Sequence, residues 1–104
     1  MSWFILIIAG VFEICWAIGL KYSSGFTKFW PSVFTIISMI ISMVLLSLAV
    51  KEIPIGTGYA VWTGIGAVGT AILGIFLFNE SSEIVRLFFM FLIVTGIVGL
   101  KLFS

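Results

Sequence analysis

Long apolar runs fill this chain, separated by short polar breaks. Four runs, residues 3–20, 31–50, 55–78 and 84–103, each approach or exceed the length of about 20 residues that carries a helix across roughly 30 Å of hydrocarbon. The breaks between them are rich in polar and turn-forming residues. The first is Lys21-Tyr22-Ser23-Ser24-Gly25-Phe26-Thr27-Lys28, after which Pro31 suits the first turn of a second helix. The second is the tight Lys51-Glu52-Ile53-Pro54, and the third is Asn79-Glu80-Ser81-Ser82-Glu83, where Ser82 is the expected N-cap of the last helix. Connections this short place consecutive helices antiparallel in a bundle. The pattern predicts an all-α membrane protein, a single four-helix transmembrane domain over residues 1–104. A bundle this thin has little room for an aqueous cavity of its own, so oligomerisation is expected.

Composition supports lipid as the solvent. Hydrophobic residues make up 62% of the 104 and charged residues 9%, more apolar surface than a small water-soluble globule can hide. The Met1-Ser2-Trp3 start lacks the basic segment of a secretory signal, so the first run is expected to stay as a helix. The net charge of +1 offers no basic block for a phosphate backbone, which excludes nucleic acid as a partner. There is no His and Cys15 is the one cysteine, so neither a metal site nor an internal disulfide is expected. No cofactor and no enzyme activity are expected either.

The loop charges bear on orientation. Lys51 and Lys101 fall on the face with the N-terminus, whereas Lys21, Lys28 and Arg86 fall on the other. A difference of one positive charge is too small to set direction by the positive-inside rule. Insertion in both directions is the expectation, which permits an antiparallel homodimer.

Glu13 stands apart from the other charged residues. It lies about ten residues into the first run, or roughly 15 Å of helical rise, near mid-membrane. The remaining charges sit at or near helix ends, where long side chains reach the interface. A carboxylate at that depth is costly to ionise without a partner, so it should face protein or a wet cavity. It then serves as a proton carrier or a cation site; the bland alternative is a neutral Glu bonded to a neighbouring helix. Ala9 and Gly10 precede it on the same face and Trp16 and Ala17 follow, placing small residues on one side and an indole on the other. A cation there gains from both the anion and the aromatic face. Trp16 is equally credible as packing filler.

The second run carries Ser38 and Ser42 one turn apart, which on spacing alone read as helix-contact residues. In the third, Tyr59, Trp62 and Gly66 share a face with Thr63 alongside. Gly64 and Gly66 flank Ile65; they allow a bend, although close packing explains them as well. In the fourth, Thr95, Gly96 and Gly99 suit a tight helix crossing and hence a dimer contact. Lys101 near its end is an interfacial anchor.

Taken together, these residues resemble the small multidrug resistance transporters, and within them the guanidinium-exporter branch. The resemblance covers the whole chain. Its specific pieces are Gly10-Val11-Phe12-Glu13, Trp16-Ala17-Ile18-Gly19-Leu20-Lys21-Tyr22, Pro54-Ile55-Gly56-Thr57, the string from Tyr59 to Gly69, Glu80 and Gly96-Ile97-Val98-Gly99-Leu100-Lys101. It implies an antiparallel dual-topology homodimer in the inner membrane that exchanges protons for a small cation by alternating access. Glu13 would be the shared proton and substrate site, and Gly10, Trp16, Ser42, Tyr59 and Trp62 would line the pocket. Gly64 and Gly66 would mark a helix bend, and Thr95, Gly96 and Gly99 the dimer contact. Gly58 and Cys15 depart from the family pattern, where Ala and a branched apolar residue are expected.

The leading expectation is proton-coupled export of guanidinium and small guanidinyl cations, with protons the only coupling ion. Export of bulky quaternary ammonium drugs is the alternative within the family. A non-transporting membrane interaction subunit is the alternative from another class; it leaves a mid-membrane Glu flanked by three aromatics unexplained.

Overall fold

The computed structural model describes residues 1–103, most of them in four helices: α1 (Ser2–Ser23), α2 (Phe29–Ala49), α3 (Ile55–Phe78) and α4 (Ile84–Leu102). All four are long and apolar enough to cross a membrane. In hydrocarbon, helices satisfy their backbone groups within one segment, which is why four consecutive apolar runs become four helices. Together with the short turns, this gives an up-and-down bundle whose large apolar side chains, from Phe4 to Phe103, face outward.

The helix ends depart from the hydropathy pattern in places. α1 continues past Leu20 to Ser23. Ser23 is fully buried there; its hydroxyl donates to the Leu20 carbonyl at 2.8 Å and accepts the Phe26 N–H at 3.2 Å. Ser24, Gly25 and Phe26 then reverse the chain with positive φ. α2 starts at Phe29, so Pro31 sits inside its first turn, where its missing N–H costs nothing. Ser82 does not cap α4: the N-cap is Glu83, with no side-chain capping bond. The neighbouring Ser81 hydroxyl takes the Glu83 N–H at 3.2 Å, so the polar break is organised one residue earlier than its sequence indicates.

α1 is the hub, packed on both α2 and α3, while α4 packs chiefly on α3 and reaches α1 at its end, where the Lys101 ammonium lies over the Trp3 ring. Close approach at the α1–α2 seam depends on small side chains. A Cβ at Gly19 would overlap the Thr35 hydroxyl, and Thr35, Ser38 and Ser42 are all buried along α2. The core proper comprises Leu6, Ala9, Leu46, Ala49, Ile53, Val61 and Trp62. It occupies the half of the bundle near the α2–α3 turn. α4 contributes no buried residue.

Candidate functional site

A groove of about 410 Å³, to which α2 contributes no wall, is lined by Glu13, Trp16 and Ala17 from α1 and by Thr63, Gly66, Ala67, Thr70 and Ala71 from α3. Glu80 and Arg86 complete its walls, so the groove runs from mid-bundle to the α3–α4 turn.

Glu13 is half-buried, and its carboxyl lies against α3 at Gly66, where a Cβ would overlap the carboxyl group itself. Gly66 therefore makes the seat that the carboxyl occupies. One Glu13 oxygen, Oε1, is buried with no hydrogen-bond partner among the described residues. Two more lining groups share that state: the Trp16 indole Nε1 and the Thr70 hydroxyl. Buried polar groups are rarely left unpaired, because each costs about 1–3 kcal/mol. All three line one groove, and their hydrogen-bonding capacity is unused within the described residues.

A second polar cluster lies outside the groove's lining. The Ser42 hydroxyl donates to the Ala9 carbonyl at 2.7 Å and accepts the Trp62 indole N–H at 2.9 Å. Ser42 is fully buried and Trp62 is nearly so. Within α1 the Ala9 carbonyl is also the helical acceptor for the Glu13 N–H. The chain Trp62–Ser42–Ala9 thus ties α3 and α2 to the turn of α1 that carries Glu13. Tyr59 stacks at a tilt on Trp62, with ring centroids 5.6 Å apart, but is itself exposed.

The residues singled out by sequence therefore divide. Glu13 and Trp16 meet in the groove. Ser42 and Trp62 form the buried support, with Tyr59 at its edge. Gly10 lies under Ile65, where a Cβ would come within 2.6 Å of the Ile65 side chain. Gly64 does the same for Ile97 of α4, at 2.8 Å, and α3 is unbroken helix through Gly64 and Gly66. A Cβ at Gly96 or Gly99 would meet no side chain within 4 Å among the described residues, and Thr95 is exposed with its hydroxyl on the Phe91 carbonyl at 2.9 Å. Sequence reasoning passed over Thr70 and the Glu80–Arg86 pair. The spacing Gly66, Thr70, Gly74 places all three on one face of α3 and was the available signal.

The Small Multidrug Resistance protein family matches residues 1–93 of this chain. A guanidinium exporter of Proteus vulgaris is 61% identical over 104 residues, covering all of both chains. The guanidinium exporter of Escherichia coli K12 is 60% identical over 102 residues, covering 98% of this chain and 97% of the relative. That of Yersinia pseudotuberculosis is 58% identical over the full length of both.

Proposed function

The chain belongs to the small multidrug resistance family, and from that premise we propose that it exports guanidinium and small guanidinyl cations in exchange for protons. The observation that carries this reading is the groove of three unpartnered polar groups around Glu13. The Glu13 carboxylate and the Thr70 hydroxyl accept N–H bonds from a planar cation, and Trp16 offers an aromatic face beside them. Guanidinium suits this set because its N–H groups lie in one plane and bond two acceptors at once.

Coupling follows from competition. A proton and a cation that need the same carboxylate displace one another, and a site open to one side at a time converts the proton gradient into outward cation flow. The working unit is an antiparallel homodimer in the inner membrane, with a Glu13 from each copy. Two features support it. Loop charges are nearly balanced between the faces, and a second copy would cover the groove that one chain leaves open beside a mid-membrane carboxyl. Two carboxylates brought together this way load and unload protons as a coupled pair.

The test is flux in proteoliposomes. A guanidinium gradient imposed on the reconstituted protein should drive proton movement in the opposite direction, and Glu13→Gln should abolish both fluxes. Guanidinium uptake without proton movement would remove the exchange mechanism, and a strong preference for a bulky quaternary ammonium ion would reassign the substrate.

A further inference from the structure

The groove contains two carboxylates, and each is seated on a glycine of α3. Glu13 rests at Gly66, and a Cβ at Gly74 would overlap the carboxyl of Glu80 in the same manner. Gly66 and Gly74 are eight residues apart, about 12 Å along one helix face. Thr70 stands midway between them, with its unpartnered hydroxyl in the same groove.

The local backbone explains how Glu80 reaches Gly74. Asn79 ends α3 in the left-handed conformation, with φ 53, and the Glu80 N–H returns to the Gly74 carbonyl at 3.2 Å. The turn thereby folds Glu80 back onto the helix it has just left, at the mouth of the groove. What Glu80 holds there is a guanidinium group. Arg86 Nη2 donates to Glu80 Oε1 at 2.9 Å, and Nη1 donates to the Ser81 carbonyl. Two nitrogens of one planar cation are bound by a carboxylate and a carbonyl, the contact that a free guanidinium ion would make.

We propose that Glu80 and the Ser81 carbonyl form a second, outer guanidinium site, which the side chain of Arg86 occupies until an incoming cation displaces it. The proposal rests on the guanidinium reading of the Glu13 groove and extends it from one site to two. Displacement exchanges one cation for another on the same carboxylate, so no charge is left uncompensated at the mouth. The released Arg86 side chain swings into water, where it is fully hydrated. From Glu80 the substrate has the Thr70 hydroxyl at the halfway point to Glu13. The Glu80–Arg86 pair is partly exposed, as a contact that must exchange rapidly requires, since pairs of that kind hold only weakly.

The experiment separates the outer site from the inner one. Protein labelled with ¹³C at glutamate carboxyls carries Glu13→Gln, so that the inner carboxylate is gone, and the Glu80 resonance is assigned by its loss in Glu80→Gln. Guanidinium is titrated against this protein with and without Arg86→Gln, sodium serving as the control cation and circular dichroism reporting the helices. The expected result is a saturable shift of the Glu80 signal by guanidinium and not by sodium. Its half-saturation should fall by about two- to fivefold when Arg86 is replaced, the equivalent of releasing an exposed ion pair. If Arg86→Gln disturbs the helices, Arg86→Lys serves, because a point charge cannot reproduce the two-nitrogen contact. No guanidinium-specific shift in a folded protein, or the same half-saturation with and without Arg86, overturns the proposal. Transport by the wild type that is abolished by Glu13→Gln would leave the inner-site reading standing in either case.

Discussion

The carboxyl of Glu13 occupies the space that a methyl group on Gly66 would fill. The position of the carboxylate is therefore set from the facing helix as much as from its own. Gly66→Ala should push Glu13 off its seat, because the overlap involves the carboxyl carbon and not only the tip of a flexible chain. Guanidinium flux is expected to fall by about 10²-fold, the scale of an ångström-sized misplacement. Proteoliposome flux measures the loss, and unchanged helix content by circular dichroism shows that it is local.

Glu13→Gln should separate stability from activity. The carboxyl has a buried oxygen without a partner, so replacing it by an amide of the same shape removes no bond from the fold. The melting temperature in detergent is expected to stay level or rise while transport disappears. A large fall in melting temperature would show that the carboxylate is a structural member.

The Trp62–Ser42 bond predicts a coupling energy. Ser42→Ala strands the buried indole N–H, at a cost of about 1–3 kcal/mol. Trp62→Phe removes that donor, so the double variant should lose less than the two single changes added together. A double-mutant cycle on denaturant unfolding reads the difference, and additivity would dissolve the claim that the two act as a unit.

Gly19 and Gly99 predict opposite behaviour. A Cβ at Gly19 meets the Thr35 hydroxyl in the α1–α2 seam, whereas one at Gly99 meets nothing within 4 Å among the described residues. Gly19→Ala should destabilise the fold by about 1–3 kcal/mol, the usual cost of overpacking. Gly99→Leu should leave helix content intact and, on the homodimer proposal, lower the yield of cross-linked dimer in membranes. Unchanged cross-linking would move the dimer contact elsewhere on the chain.

The four spans were legible because length and apolar content alone decide whether a segment can cross a bilayer, and Glu13 stood out because lipid makes an ion expensive. Its seat was not legible. Gly66 looked like a bend or a packing residue, and only the register between α1 and α3 reveals which side chain fills its gap. Ser42 read as a helix-contact residue on spacing alone. Its bonds to Ala9 and Trp62 join three helices, and no pattern within one helix reports that. The pairing of Glu80 with Arg86 was not legible, because the left-handed Asn79, which folds Glu80 back, leaves no mark in hydropathy.

α4 buries no residue and packs chiefly on α3, so most of its surface is a boundary over which lipid and protein compete. If a second copy occupies that boundary, association takes place in two dimensions, and the concentration that matters is copies per lipid rather than copies per volume. A cell could then switch transport on by expressing the chain above a threshold of membrane crowding, with no ligand or modification involved. Reconstitution at falling protein-to-lipid ratio would register this as specific activity that declines on dilution, although every molecule remains folded.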